Sequence, residues 1–167
     1  MLPTTGAQVS FIVIAYNAAP TIRACVESIL VQAVDKEVIL VDNNSTDGTA
    51  GQVSGLPLTV VFEARRCRGT ARNRGLDAAH GAWIAFVDAD VELPPHWAPE
   101  ALALLDSHPD CVAVGGPGLT PAAGWVSQAI DTLQYGIRFD EPEHLVGSRT
   151  GLVPAQATPP LVAGRDH

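Results

Sequence analysis

The stretch Trp83-Ile-Ala-Phe-Val-Asp-Ala-Asp90 decides the fold that this sequence predicts. Its five apolar residues indicate a buried strand, of the kind found in parallel sheets that are covered on both faces. In open α/β sheets, ligands lie beyond the carboxyl ends of such strands. Asp88 and Asp90 are therefore expected at a binding edge, with the small Ala89 between them. Two carboxylates in one short turn suit Mg²⁺ or Mn²⁺, and such a cation suits a diphosphate.

The Asp-x-Asp triplet is weak evidence when it is taken alone. A shuffled chain of this aspartate content would contain roughly 0.7 such triplets by chance. The alternative interpretation is a solvated turn with two surface acids, and the triplet alone favours it. The position after a buried strand, and the rest of the chain, shift the balance toward a functional site.

Composition restricts the class of protein. The chain has 167 residues, of which 47% are hydrophobic and 17% charged, which predicts one folded domain with a real core. A net charge of -8 argues against nucleic acid as a partner. The three cysteines form no CxxC pair and are odd in number, which indicates a reduced, cytoplasmic protein. No stretch approaches the roughly 20 apolar residues of a membrane span.

Two earlier strands also end in polar residues. Val9–Ala15 predicts a first strand, followed by Tyr16 and Asn17 and then by a helix that opens at Pro20. Glu37–Val41 predicts a second strand. For Tyr16 taken alone, a core aromatic with a hydrated hydroxyl is the favoured interpretation.

The second predicted strand runs into a polar loop, residues 42–49, that begins with Asp42 and Asn43. Asp, Asn and Ser favour turns and helix caps, so the loop is consistent with a capped turn before a short helix near residues 49–53. It is equally consistent with a pocket for a base and a ribose, where a carboxylate accepts from a hydroxyl or a ring N–H. The loop alone does not separate these two interpretations.

A basic segment follows a third predicted strand, Leu58–Phe62. Residues 65–74 contain five of the ten Lys and Arg residues of the chain. Basic residues at a helix N-terminus beyond a sheet edge form a good diphosphate site, because guanidinium groups and the helix dipole act together. The alternative is a basic surface loop. The negative charge of the remaining chain favours the anion site.

The alternation of strands and helices predicts an α/β fold with a mostly parallel central sheet and helices on both faces. We expect a helix over Trp97–Leu105, a short strand over Cys111–Val114 and a helix over Trp125–Ile137. Beyond Arg138 the periodicity ends. Residues 1–137 are therefore predicted to form the ligand-binding domain, and residues 138–167 an irregular tail.

Four motifs occur in an order that is typical of one family. The chain resembles the nucleotide-sugar half of a family 2 glycosyltransferase, a single Rossmann-like domain with the GT-A fold, over about residues 9–116. Together the four motifs are highly specific, although any one alone would be weak. They read Val9-Ser-Phe-Ile-Val-Ile-Ala-Tyr16-Asn17, Val41-Asp-Asn-Asn-Ser-Thr-Asp-Gly48-Thr49, Gly69-Thr-Ala-Arg-Asn-Arg-Gly75-Leu76 and Gly81-Ala-Trp-Ile-Ala-Phe-Val-Asp-Ala-Asp90.

The resemblance implies a hexosyltransferase-like enzyme of polysaccharide or glycan biosynthesis that transfers a sugar, with inversion, from a nucleotide-diphospho sugar. Tyr16 and the pair Asp42-Asn43 would contact the base. Asp90 would bind the divalent cation, Mg²⁺ or Mn²⁺, and Asp88 would face the ribose or the metal. The donor-binding residues that the resemblance implies are Ala15, Tyr16, Asn17, Asp42, Asn43, Arg68, Arg72, Asp88, Ala89 and Asp90.

Two departures from the family pattern leave questions open. Asn43 stands where many members carry a second aspartate, which leaves the base and the sugar of the donor open. The family's catalytic base lies in the distal half, in a Glu-Asp context that this chain lacks. Asp140, Glu141 and Glu143 lie at a roughly suitable distance along the chain, but their sequence context matches the family pattern only in part. No catalytic base is therefore assigned. Residues 138–167 are expected to lead toward an acceptor-binding half. The resemblance implies a glycan or a lipid-linked carrier as the acceptor. A lipid-linked acceptor would be consistent with a peripheral position at the inner face of a membrane.

Two other functions are consistent with parts of the sequence. A non-catalytic module that binds a nucleotide-sugar would need no catalytic base. A nucleotidyltransferase would share the α/β plan and the metal carboxylates, but it would carry a glycine-rich phosphate loop after the first strand. Residues 16–19, Tyr-Asn-Ala-Ala, stand there instead, which counts against the nucleotidyltransferase.

Overall fold

A computed structural model describes residues 7–108, 114–115 and 150–155 of the chain. The described part consists of alternating strands and helices. The elements are β1 (Val9–Ala15), α1 (Ile22–Leu30), β2 (Lys36–Asp42), a 3-10 turn (Thr49–Val53), β3 (Thr59–Phe62), α2 (Arg68–Asp77), β4 (Trp83–Asp88), α3 (Trp97–Ser107), β5 (Val114–Gly115) and β6 (Thr150–Pro154).

The strands form one sheet with the order β3-β2-β1-β4-β6-β5. The first four of these strands are mutually parallel, and β6 runs antiparallel to both of its neighbours. The register pairs Ala15 with Asp42 and Ile14 with Asp88, so β1, β2 and β4 end at the same level. This confirms the predicted α/β fold with a mostly parallel sheet.

Helices cover both faces of the sheet, as predicted. On one face, Phe11 and Val13 of β1 pack into a core with α1 and α3, and the rings of Phe11 and Trp97 lie 6.3 Å apart. On the other face, Ile12 packs with β2 and with Ala71 of α2. Because both faces are buried, β1 is an apolar run without alternation, which is the pattern that identified it.

Strand β6 corrects one prediction, because it lies within the tail that the sequence predicted to be irregular. Its five residues pair along β4, from Trp83 opposite Pro154 to Val87 opposite Thr150. The segment contains glycine and proline and shows no alternation, so its strand conformation depends on the pairing with β4 rather than on a local pattern. The division of the chain into domains at residue 137 stays an expectation.

Other boundaries differ slightly from the predictions. Helix α1 begins at Ile22 rather than at Pro20, because the carbonyl of Ala18 first accepts from Thr21 and Ile22 in a preceding turn. The described part of β5 is Val114–Gly115, and the other residues of that predicted strand lie outside the described ranges. The helix predicted over 125–137 also lies outside them. None of the helices in the described part of the chain has the length and hydropathy of a membrane span.

Candidate functional site

Three parallel strands bring their polar ends to one edge of the sheet. Tyr16 follows β1, while β2 and β4 end in Asp42 and Asp88 at matching levels of the register. The N–H of Asn43 donates to the carbonyl of Ala15 at 2.8 Å, which closes the gap between the ends of β1 and β2. The structure therefore brings together the residues that the sequence placed at a common edge.

Asn17 joins the loop after β1 to the loop after β2. Its backbone N–H donates to Ser45 Oγ at 3.0 Å, and its side-chain Oδ1 accepts from the N–H of Thr46 at 2.9 Å. These contacts hold Asn17 at a positive φ of 50°, a conformation that non-glycine residues seldom adopt and that is often found at functional loops. The turn after β1 is therefore fixed by its neighbour.

Asp47 and Thr49, in the distal part of the polar loop, hold the segment before α1 in place. Asp47 accepts from the N–H of Ala19 at 2.9 Å and from the hydroxyl of Thr49, which itself accepts from the N–H of Ala18 at 2.9 Å. The hydrogen bonds from Thr49 and Ala19 hold the pKa of Asp47 below its usual value. The capped-turn interpretation therefore applies to residues 47–49, and also to Asp42, whose Oδ1 accepts from the N–H of Ser45.

Asp42 and Asn43 are nearly buried, with 9% and 5% of their surface exposed. The N–H of Ser45 donates to Asp42 Oδ1 at 2.9 Å. The amide nitrogen of Asn43 donates to the carbonyls of Arg65 at 2.6 Å and Glu63 at 3.3 Å. Because its N–H groups serve these carbonyls, any contact between Asn43 and a base would fall to its carbonyl oxygen.

Arg66 is a residue that the sequence did not single out. Its guanidinium carbon lies 4.2 Å from the ring centroid of Tyr16, and its Nη2 donates to the Tyr16 hydroxyl. Tyr16 is 42% exposed, so it is not the core aromatic that its sequence position alone favoured. The only sequence signal for Arg66 was its membership of the basic segment, which does not distinguish one arginine from another.

The N-terminus of α2 favours negative charge. The N–H groups of Thr70 and Gly69 lower the pKa of the Cys67 thiol, as expected where helix N–H groups stabilise an anion. Arg68, the first residue of the helix, is exposed. The guanidinium carbon of Arg72 lies 5.7 Å from the centroid of the Phe86 ring, and its Nε is buried without a hydrogen-bond partner. The predicted basic site thus combines a helix N-terminus with two arginines.

The carboxylate turn after β4 is tight. The carbonyl of Asp88 accepts from the N–H of Val91 at 3.0 Å and from the thiol of Cys25 at 3.5 Å. Ala89 is buried and Asp90 is exposed. Burial, together with the negative charge of Asp90, raises the pKa of the Cys25 thiol to about 12. The turn is therefore a local centre of negative charge with an exposed carboxylate.

The carboxylates of Asp88 and Asp90 fit a divalent cation that would take its remaining ligands from water and substrate phosphates. Within the described ranges, no three or more His, Cys, Asp or Glu side chains are grouped so that they could hold a metal ion. Mg²⁺ is usually held by one or two carboxylates together with water and substrate phosphates, rather than by a protein cage. Asp88 and Asp90 supply carboxylates of that kind. Asp140, Glu141 and Glu143, the partial echo of a catalytic base, lie outside the described residues.

Comparisons with known proteins agree on one family. A family model described as glycosyl transferase family 2 matches residues 10–144. The chain is 41% identical over 92 residues to the succinoglycan biosynthesis protein ExoO of Rhizobium meliloti, which covers 52% of this chain and 26% of ExoO. It is 39% identical over 87 residues to the UDP-Glc:alpha-D-GlcNAc-diphosphoundecaprenol beta-1,3-glucosyltransferase WfaP of Escherichia coli, covering 49% of this chain and 35% of WfaP.

A solved structure shows the same fold. The mannosyltransferase PcManGT of Pyrobaculum calidifontis, in complex with GDP-Man and Mn²⁺, superposes with a TM-score of 0.60 at 32% identity, over 68% of this chain and 37% of that chain. This likeness confirms the predicted GT-A fold. The chain corresponds to about a third of the length of these relatives.

Proposed function

Because the chain belongs to glycosyl transferase family 2, we propose that it binds a nucleotide-diphospho sugar at the polar edge of its sheet and serves the transfer of the sugar, with inversion, to an acceptor. The observation that supports this is the register of β1, β2 and β4. It brings Tyr16, the buried carboxylate of Asp42 and the partly buried carboxylate of Asp88 to one edge, and the exposed Asp90 follows in the turn after β4. The loop before α2 is tied to this edge through Asn43. Base, ribose and diphosphate each need one of these chemistries.

The nucleoside would lie against the loops after β1 and β2. Tyr16 offers an exposed ring and Asp42 a carboxylate acceptor for a ring N–H or a hydroxyl. Ala15 and Asn17 hold these two loops together. The carbonyl of Ala15 accepts from the N–H of Asn43, and the N–H of Asn17 donates to Ser45 Oγ. We propose that Asn43 acts mainly by holding the loop before α2.

The diphosphate would lie between α2 and the carboxylate turn. Arg68 and Arg72 would offset its charge, together with the helix N-terminus. Asp88 and Asp90, separated by the small Ala89, would hold a divalent cation, Mg²⁺ or Mn²⁺, whose charge stabilises the leaving diphosphate. The solved complex of PcManGT with GDP-Man and Mn²⁺ supports this choice of cation.

The base of the donor and the acceptor differ among the relatives. PcManGT is described with GDP-Man, and the name of WfaP states UDP-Glc as donor and a diphosphoundecaprenol-linked sugar as acceptor. A lipid-linked acceptor of this type would bring the chain to the cytoplasmic face of a membrane. Inverting transfer also requires a base that deprotonates the acceptor hydroxyl, and no described residue is assigned that role.

The proposed function predicts that Asp90→Asn abolishes metal-dependent nucleotide binding and leaves the fold intact. The substitution removes the negative charge of an exposed carboxylate, so it should disrupt the cation site without changing the packing of the core. Isothermal calorimetry with a panel of nucleoside diphosphates, with and without Mn²⁺, measures the effect. Asp77→Asn, the same change at an exposed position at the far end of α2, is the matched control and should bind as the wild type does. Unchanged Mn²⁺-dependent affinity in Asp90→Asn would refute the assignment.

A further inference from the structure

The segment between β4 and α3, residues 89–96, contains neither strand nor helix, yet its side chains alternate strictly between core and solvent. Ala89, Val91 and Leu93 are buried in the core beneath α1, whereas Asp90 is exposed. A slip of one residue along this segment would turn Asp90 into the core and an apolar side chain toward solvent. The register of the segment therefore decides whether Asp90 faces the ligand edge.

Polar side chains of α1 hold this segment from below. Cys25 and Ser28 lie one turn apart on the helix, and Gln32 follows one turn later, just past its end. Cys25 Sγ donates to the carbonyl of Asp88 at 3.5 Å, and Ser28 Oγ accepts from the N–H of Leu93 at 2.9 Å. Ser28 Oγ itself donates to the carbonyl of Cys25 at 2.7 Å, which directs its proton away from the Leu93 N–H.

Gln32 uses both ends of its amide, and its side chain is buried with 2% of the residue exposed. Its Nε2 donates to the carbonyl of Pro94 at 2.8 Å and to that of Ser28 at 3.1 Å. Its Oε1 accepts from the N–H of Ala98 at 2.9 Å, in the first turn of α3, where backbone N–H groups have no partner within the helix. One buried glutamine thus joins the end of the segment and the start of α3 to α1.

We propose that Ser28 and Gln32 are positioning residues for the cation that the donor diphosphate requires. Their hydrogen bonds hold residues 93–98 against α1 and so fix the register in which Asp90 faces outward in the turn after Asp88. Both residues act through the backbone of the segment. The inference rests on the proposed function, since it concerns the carboxylates assigned there to the cation.

Two measurements on the full chain test this role, and one of them needs no ligand. Amide hydrogen exchange followed by NMR gives the protection of the Val91 N–H, which donates to the carbonyl of Asp88 at 3.0 Å. The amide of Ile12, in the middle of β1, is the reference for global unfolding. Titration with Mn²⁺ followed by EPR, at a saturating concentration of UDP or GDP, whichever binds more tightly, gives the affinity for the cation.

The variants separate the hydrogen bonds from the stability of the fold. Ser28→Ala and Gln32→Met remove the hydrogen bonds to the segment with little change of side-chain volume, and Ser28→Thr keeps the hydroxyl. The matched control Ile39→Val shortens a buried side chain on the α2 face of the sheet, so it lowers stability without touching α1 or the segment. Circular dichroism of each variant verifies the fold.

We expect Ser28→Ala and Gln32→Met each to accelerate exchange at Val91 about 10-fold or more relative to Ile12 and to weaken Mn²⁺ binding about 10-fold, as residues that orient metal ligands do. Ser28→Thr should keep both values within about threefold of the wild type. Ile39→Val should accelerate exchange at Ile12 at least as much as at Val91, because global unfolding exposes both amides, and should leave the affinity for Mn²⁺ unchanged.

The inference is overturned, while the proposed function stands, if either Ser28→Ala or Gln32→Met binds Mn²⁺ within about threefold of the wild type. It is also overturned if exchange at Val91 accelerates only as much as at Ile12, since the two residues would then stabilise the fold without positioning the turn. If the wild type binds no Mn²⁺ in the presence of either nucleotide, the proposed function fails, and the inference fails with it.

Discussion

Gly75 shows how a single missing side chain sets the distance between α2 and the sheet. A Cβ atom at this position would lie 2.4 Å from Cγ2 of Ile12 and 3.2 Å from Cγ2 of Val41, both in the core beneath the helix. The close approach lets α2 lie against β1 and β2, with its N-terminus at the ligand edge. Gly75 belongs to the third family motif, so one structural reason for that motif is packing.

We expect Gly75→Ala to destabilise the fold by about 1–3 kcal/mol, because an extra methyl group must displace Ile12 or shift the helix. Urea unfolding measures the change in the free energy of unfolding. Gly51→Ala is the matched control, since a Cβ there meets nothing within 4 Å, and it should change stability by less than about 0.5 kcal/mol. A stability for Gly75→Ala equal to that of Gly51→Ala would contradict the packing argument.

Asn43 shows that one substitution within a motif can change the role of a position. Many family members carry an acid here, which could accept only. The amide of Asn43 instead donates to two backbone carbonyls of the loop before α2. A carboxylate would face the same carbonyls with no hydrogen to donate. The asparagine is therefore explained by the loop that it holds, which in turn carries Arg66.

At the scale of elements, a clamp at the opposite edge of the sheet holds the connection between α2 and β4. Glu37 of β2 accepts from the hydroxyl of Ser10 and from the N–H of His80 at 2.6 Å, and the N–H of Gly81 donates to Ser10 Oγ at 2.7 Å. A Cβ at Gly81 would lie 2.6 Å from the backbone nitrogen of Ser10. The clamp therefore fixes the start of β4 and, through that strand, the level of its carboxylate turn.

Burial acts to raise the pKa of Glu37, but the hydrogen bonds from Ser10 and His80 outweigh it and bring the pKa below its ordinary 4.5. A lowered pKa stabilises the fold above pH 4.5, and this contribution is lost as the pH falls through the lower folded value. Glu37→Gln should therefore cost about 1–2 kcal/mol at pH 7, and its difference from the wild type should shrink below pH 4.5.

Thermal or urea unfolding between pH 3 and pH 7 measures this pH dependence. Glu27→Gln is the control. It breaks an ion pair with Arg23 in which both side chains are about half exposed, and it should change stability by less than about 0.5 kcal/mol. A difference between Glu37→Gln and the wild type that stays constant over this range would show that the charge of Glu37 contributes nothing.

At the scale of the whole molecule, a distant segment completes the sheet beside the carboxylate strand. Strand β6 pairs with β4 over five residues and also pairs with β5. The N–H of Ala155 donates to the carbonyl of Ala82 at 3.0 Å and extends this pairing. Without β6, the strand that ends in Asp88 would present an unpaired edge to solvent.

We expect a chain that ends at residue 137 to be less stable than one that ends at residue 155, because only the longer chain retains β6. The melting temperature of the shorter chain should fall by more than about 5 °C, or it should aggregate, and amide exchange in β4 should accelerate. The chain ending at residue 155 should melt within about 2 °C of the full chain. Equal protection of β4 in both truncated chains would show that residues 1–137 are an independent domain, as the sequence alone predicted.

The elements nearest the ligand edge were predictable because their signals are local. Strands buried on both faces require continuous apolar runs, and β1, β2 and β4 each contain one. The polar residues at the ends of these strands follow from the same rule, since the parallel strands share one edge. The α/β fold and the placement of Tyr16, Asp42 and Asp88 at a common edge were therefore predictable from local signals. The GT-A assignment depended instead on the resemblance carried by the order of the four motifs.

Only the tertiary structure decided which residues contact one another across the loops. The stacking of Arg66 on Tyr16, the hold of Asn43 on the loop before α2 and the pairing of β6 with β4 each join segments far apart in the chain. No periodicity records such contacts, because they depend on the packing of the sheet and on the loop backbone rather than on neighbouring residues. For the same reason the sequence identified a segment with five arginines, while the structure showed which of them meets the tyrosine.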